Sequence, residues 1–141
     1  MIILDTNVLS ALMRRDADPR VVEWLDSQPR GSIWTTTITT FEVRFGLELL
    51  PDSRKRKALE AAFDKAIAED LDRRVLAFDE IAAGAAATIA ARQRRGGRTT
   101  DIRDIQIAGI TAAHKAALAT RNTRHFEHTA ITIIDPWSSG G

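Results

Sequence analysis

The stretch MIILDTNVLSALM, residues 1–13, sets how the rest of the chain is read. Met1–Leu4 is an apolar run too short for a helix and suited to a buried strand. Asp5-Thr6-Asn7 follows, three residues that favour helix caps, and Val8–Met13 continues with helical spacing. A buried strand that passes through a polar cap into a helix is the opening of an α/β unit. It leaves Asp5 just beyond the strand's carboxyl end.

The same alternation recurs downstream. Pro19 suits the first turn of a helix carrying Val21, Val22, Trp24 and Leu25. Ser32–Thr36 is short and β-prone. Thr37–Leu50 reads as a helix with Phe41, Phe45 and Leu49 on one face, and the spacing predicts that most of this face is core. Asp52 is the expected cap of the next helix, with Leu59, Ala62, Phe63, Ala66 and Ile67 as its apolar stripe. Val75–Phe78 is a third strand. Asp79 is expected to cap an alanine-rich helix ended by Gly96-Gly97. Asp101 caps a helix running to about Lys115. Ala116–Thr120 is a fourth strand, Arg121–Phe126 a turn, and Ile131–Ile134 a fifth strand. Five short strands separated by helices predict a three-layer α/β/α sandwich around a central, mainly parallel five-stranded sheet. We expect one domain over 1–137 and a disordered tail over 138–141.

Composition narrows the classes. The chain has 141 residues, 20 Lys+Arg against 19 Asp+Glu, and no cysteine. Balanced charge excludes a polycationic coat but leaves room for a local basic patch. The lack of cysteine excludes disulfide scaffolds, thiolate metal sites and thiol nucleophiles, and accords with an expected cytoplasmic location. No apolar run approaches the roughly 20 residues of a membrane span.

In open parallel sheets, ligands bind beyond the carboxyl ends of the strands. Asp5, Glu42, Asp101, Asp104, Asn122 and His125 all fall near such ends, and they reach one rim if the first and fourth strands are neighbours. Two carboxylates about 4 Å apart repel by about 4 kcal/mol at an effective dielectric of 20, so a cluster must spread, take up protons or bind a cation. Oxygen donors suit Mg²⁺ or Mn²⁺. Each acid also has a plainer use. Asp5 can cap the first helix, Thr39-x-x-Glu42 matches a capping box, and Asp101-x-x-Asp104 resembles one. The functional case rests on Asp5, Glu42 and Asp104 meeting at one rim.

Three segments, ILDTNVLSAL, TTITTFEVRFGLELL and DIRDIQIAGITAAH, together with LATRNTRHF after them, resemble the PIN-domain ribonucleases. Within these they are similar to the VapC-type toxins of bacterial toxin–antitoxin pairs, in the FitB-like branch. The resemblance spans nearly the whole chain, in family order and spacing. It implies metal-dependent RNA cleavage, a homodimer and a cognate antitoxin. It places Asp5, Glu42 and Asp104 on the family's acidic metal-binding positions and Asn122 on a fourth position that the family fills with Asp or Asn. His125 stands where relatives often carry Asp. A type II toxin hydrolysing RNA phosphodiester bonds with Mg²⁺ or Mn²⁺ is therefore expected. Asp5 and Asp104 would be direct metal ligands and Glu42 a ligand through water or a proton acceptor. Thr6 and Thr120 would orient carboxylates or waters.

For RNA contact the candidates are Arg98, in the basic stretch around Gly96-Gly97, and Arg121 and Arg124, beside Asn122. Arg54–Lys57 reads instead as a solvated helix face. Phe41, Phe45 and Leu49, with Leu59 and Phe63, offer an antitoxin groove if they are exposed. Two other classes compete. A phospho-accepting receiver domain would need a second acid beside Asp5 and a lysine after the last strand, and neither is present. A PIN-fold binding protein that no longer cleaves is kept open by Asn122 and His125, which stand where the family can carry carboxylates, but Asp5, Glu42 and Asp104 are all present.

Overall fold

The computed structural model describes residues 1–138 of the chain. The expected disordered tail therefore falls, beyond Ser138, outside the described residues. Five strands, β1 (Ile2–Leu4), β2 (Ile33–Thr36), β3 (Val75–Leu76), β4 (Ala117–Ala119) and β5 (Thr132–Ile134), form one all-parallel sheet in the order β3-β2-β1-β4-β5. Six helices flank it: α1 (Thr6–Leu12), α2 (Pro19–Asp26), α3 (Thr37–Glu48), α4 (Arg54–Lys65), α5 (Glu80–Arg95) and α6 (Ile102–Ala113).

Alternation along the short strands sorts the two faces. On β1, Leu4 packs with Val8, Leu9, Val21, Val43 and Phe63 from the helices α1 to α4. Ile3 points the other way, into a second core with Ala82, Ala86, Ile107 and Ile110 from α5 and α6. The three-layer expectation is thus met. The pairing of β1 with β4 sets the site: Leu4 is opposite Ala119, and the Asp5 amide continues the ladder by donating to the Ala119 carbonyl at 2.9 Å. The chain segments leaving β1 and β4 therefore emerge side by side.

The alanine content of α5 has a packing cause. A Cβ placed on Gly109 of α6 would lie 2.6 Å from the Ala86 Cβ and 2.7 Å from the Ala82 carbonyl oxygen. Only small residues let the two helices approach this closely. The C-terminus of α5 closes as the glycines imply. Arg98 N–H donates to the Gln93 carbonyl and Gly97 N–H to the Arg94 carbonyl, with Gly97 at φ +73°. This is a Schellman motif, and its left-handed residue favours glycine.

Three expectations need correction. On α3 the inward face is Thr39, Val43 and Leu47, while Phe41, Phe45 and Leu49 are exposed. The helix follows β2 without a loop, and its cap is Thr36, whose hydroxyl accepts from Thr39 N–H at 3.1 Å. That junction fixes the rotation of α3 about its axis and turns Val43 and Leu47 inward. The aromatic spacing reported a real stripe but not its direction. The same geometry removes the Thr39–Glu42 capping box. Finally, α4 is capped by Ser53 rather than Asp52: the Ser53 hydroxyl accepts from Arg56 N–H at 3.2 Å.

Candidate metal centre and nucleic-acid cleft

Asp5 is only 4% exposed and sits at the junction of β1 and α1. One carboxylate oxygen accepts from Thr6 N–H at 2.8 Å, which is the capping role. The other accepts from the Thr120 hydroxyl at 2.8 Å and from the Asn7 amide at 3.2 Å. Capping and site membership are thus carried by different oxygens of one side chain. Asn7 ties the two chain crossings together, because its amide oxygen accepts from Arg121 N–H at 2.9 Å and its amide nitrogen also donates to Thr120 at 3.3 Å. The Thr120 hydroxyl in turn accepts from Asn122 N–H at 3.0 Å.

Glu42 enters from the first half of α3. Its Oε1 accepts from the Thr6 hydroxyl at 3.0 Å, and its Oε2 lies 3.6 Å from an Arg103 guanidinium nitrogen. Asp104 lies in the first turn of α6, where Asp101 is the cap and accepts from Arg103 N–H at 2.8 Å. The Asp104 carboxylate does not complete a capping box. It lies 3.2 Å from His125 Nδ1, on the turn after β4.

The electrostatics show that the three acids feel one another. Burial pushes the Asp5 carboxyl above its usual range, against the hydrogen bonds from Thr120, Thr6 and Asn7. Glu42 is raised first by burial, and the negative charge of Asp5 adds to it. Asp104 is pushed up to about 6 by burial and then by Asp5, with His125 opposing and Asp101 and Glu42 adding smaller increments. Such a set gains from a cation among the carboxylates.

Among the described residues, no three Asp, Glu or His side chains lie close enough together to hold a metal ion as they stand. The donor chemistry nevertheless fits a hard divalent cation, because every candidate ligand is a carboxylate oxygen and Arg103 and His125 offset only part of their charge. Asn122 stands apart: its side chain is exposed and makes no hydrogen bond to the three acids.

Of the arginines, Arg98 and Arg124 line a cleft of about 490 Å³ that includes Asp101, Asp104 and His125. Arg121 turns away from it, its guanidinium 4.9 Å above the Trp137 ring. An apolar cavity of about 270 Å³, walled by Leu9, Leu12, Leu25 and Leu71, contains none of the three acids and is separate from this chemistry. Sequence reasoning missed Asn7 as the bridge between the crossings and Arg103 as the cation beside Glu42. Neither has a local pattern that signals it, since both depend on partners far along the chain.

Carboxylates that perturb one another on the carboxyl rim of a parallel sheet mark a candidate ligand site. The chain belongs to the PIN domain family, which it matches over residues 2–131. It is 35% identical to the VapC ribonuclease Y4jK of Sinorhizobium fredii, over 97% of this chain and 98% of that protein. It is 34% identical to the plasmid stability protein StbB of Pseudomonas syringae pv. tomato, over 99% of this chain and all of that protein. The crystal structure of FitAcB from Neisseria gonorrhoeae superposes with a TM-score of 0.88 at 34% identity, covering 97% of this chain and 99% of that one.

Proposed function

We propose that this protein is the ribonuclease toxin of a type II toxin–antitoxin pair and hydrolyses RNA phosphodiester bonds with Mg²⁺ or Mn²⁺. The observation that carries the reading is the convergence of Asp5, Glu42 and Asp104, each with a raised proton affinity, at the crossings of β1 and β4. The relatives support it: one is named a VapC ribonuclease, another is Toxin FitB of Neisseria gonorrhoeae, and similar solved structures are FitAB and VapBC toxin–antitoxin complexes.

Asp5 and Asp104 are the residues we assign to direct metal contact, with Glu42 beside them. When bound, the cation lowers the pKa of a coordinated water and stabilises charge on the phosphate. The chain's own residues do the rest. Thr120 and Asn7 fix the Asp5 carboxylate, leaving its orientation independent of the metal. Thr6 holds Glu42 by one oxygen, and the raised proton affinity of Glu42 suits it to accept a proton from the attacking water. Arg98 and Arg124, and from the far side Arg121, are the side chains we assign to RNA phosphates. Asn122 is placed to offer its amide to a phosphate oxygen or water. Antitoxin or a second copy of the toxin would cover the exposed ridge of Phe41, Phe45 and Leu49, where the first two rings stack at 5.9 Å. No helix among the described residues is long and apolar enough to cross a membrane.

The test is cleavage of total RNA by protein freed of antitoxin, with and without Mg²⁺ or Mn²⁺. Asp5→Asn and Asp104→Asn should each abolish metal-dependent cleavage while far-UV circular dichroism stays that of the parent. Full activity in both would remove the assignment.

A further inference from the structure

Two open clefts share a wall formed by Gln93, Arg98, Thr99 and Thr100, and Asp104 lines the larger. The larger, about 490 Å³, is walled by Arg98, Thr100 and Asp104 from the α5–α6 region and by Arg124, His125 and His128 from the turn after β4. The smaller, about 310 Å³, shares Arg98 and Thr100 and adds the apolar side chains of Ala90 and Ile105. Each falls in the range of roughly 300–1,000 Å³ typical of small-ligand sites. Arg98 and Arg124 are exposed, and neither forms an ion pair among the described residues.

One of the residues shared by both clefts is buried. Gln93, on the last full turn of α5, is only 5% exposed. Its amide nitrogen donates to the His128 carbonyl at 2.7 Å. A backbone carbonyl only accepts, so this bond fixes which end of the amide is which and turns Oε1 away. Oε1 receives no hydrogen bond from the described residues, yet no buried side-chain oxygen among them is left unsatisfied. Oε1 therefore keeps some access to solvent, and Gln93 is a wall of both clefts. A buried amide locked in one orientation, with an unpaired acceptor, is suited to reading a hydrogen-bond donor on a ligand in those clefts.

We propose that the two clefts form one nucleotide subsite on the RNA path, next to the bond that is cut. Arg98 and Arg124 hold a phosphate, the base lies over Ala90 and Ile105, and an N–H on its edge donates to Gln93 Oε1. Gln93 is thereby a specificity-determining residue at one position flanking the cut. The reading rests on the assignment of the acidic centre as an RNA hydrolase. It adds where this flanking nucleotide lies: on the side of the α5–α6 connection, with Arg121, over Trp137, left to a more distant phosphate.

The experiment measures binding of single-stranded oligoribonucleotides in EDTA, where cleavage cannot intervene, and then cleavage of a pool randomised around one site. Arg98→Gln with Arg124→Gln should lower the salt dependence of log K by about 0.7 for each phosphate no longer neutralised. Arg54→Gln with Lys57→Gln, an exposed pair on α4, should leave it unchanged. Gln93→Met keeps the approximate shape and removes both Oε1 and the bond to the His128 carbonyl, so its stability in urea is measured alongside. It should cut the base preference at one flanking position by about three- to tenfold, the worth of one hydrogen bond, while cleavage of the disfavoured sequences is retained. Equal slopes in the two double variants overturn the proposal, as does an unchanged base preference in a folded Gln93→Met. Absence of metal-dependent cleavage by the parent protein would instead count against the hydrolase assignment, and the binding arm would still report on the subsite.

Discussion

Asp104→Asn should make the metal-free protein more stable at neutral pH, and the structure sets the size of the gain. In the fold the Asp104 carboxyl is pushed up to about 6 from an ordinary 3.8 by burial, Asp5, Asp101 and Glu42, with His125 opposing. The rise from 3.8 to about 6 corresponds to about 3 kcal/mol, since a tenfold change in an equilibrium is 1.36 kcal/mol. The side chain is 20% exposed at the mouth of the cleft, and solvent screening there trims the figure to about 1–2 kcal/mol.

The sign follows from proton linkage. Below about pH 4 the carboxyl is protonated in both folded and unfolded chains, and the penalty is absent. Between about 4 and 6 the folded state binds the extra proton. Above about 6 both states are ionised, and the folded state carries the full cost. Asparagine mimics the protonated form. In EDTA the variant should therefore exceed the parent by about 1–2 kcal/mol at pH 8, roughly 3–8 °C in melting temperature for a chain of this size, and the difference should vanish toward pH 4. Urea unfolding at pH 4.5 and 8.0 measures it. Mg²⁺ at a hundred times Kd should reverse the order, because only the parent gains RT ln(1 + [L]/Kd), about 2.7 kcal/mol there. A variant less stable than the parent at pH 8 in EDTA would contradict this account and make Asp104 a structural partner of His125.

Other perturbations test other links. Thr120→Val removes the hydroxyl that positions Asp5 and should cost about 10–100-fold in metal affinity or cleavage with the fold retained; unchanged metal affinity and cleavage would detach Thr120 from the site. Gly109→Ala forces a methyl against Ala86 and the Ala82 carbonyl and should destabilise by about 1–3 kcal/mol in urea, whereas a neutral result would mean α5 and α6 can part without cost. Phe45→Glu puts a charge on the exposed ridge of α3 and should weaken the assembly that covers it. Light scattering of the isolated chain reads the homodimer and titration with antitoxin reads the heterocomplex, and no change in either would exclude the ridge as an interface.

Much of the site was legible because its residues sit at chain positions that local rules mark. Asp5 follows an apolar strand, Asp79 and Asp101 head helices, and Gly97 ends one, each through hydrogen bonds to residues a few positions away. Such short-range interactions leave a pattern in the sequence. The strand–helix alternation likewise implied the layered fold, since a strand buried on both faces must be apolar throughout. The family resemblance then aligned Asp5, Glu42 and Asp104, which spacing alone left open between caps and ligands.

What depended on distant partners was not legible. Phe41, Phe45 and Leu49 form a periodic stripe, but periodicity carries no direction, and only the Thr36 junction with the core around Val43 and Leu47 turns the stripe outward. Asn7 becomes a bridge because Thr120 and Arg121 arrive beside it across the β1–β4 pairing. Gln93 reads as one polar residue in a helix until His128, 35 residues later, fixes its amide. Period, polarity and donor type, all readable along the chain, were enough to specify the elements, the layers and the hard-oxygen character of the centre. Which face each helix shows and which atoms meet came from the packing of the folded chain, because segments far apart in sequence share no local rule.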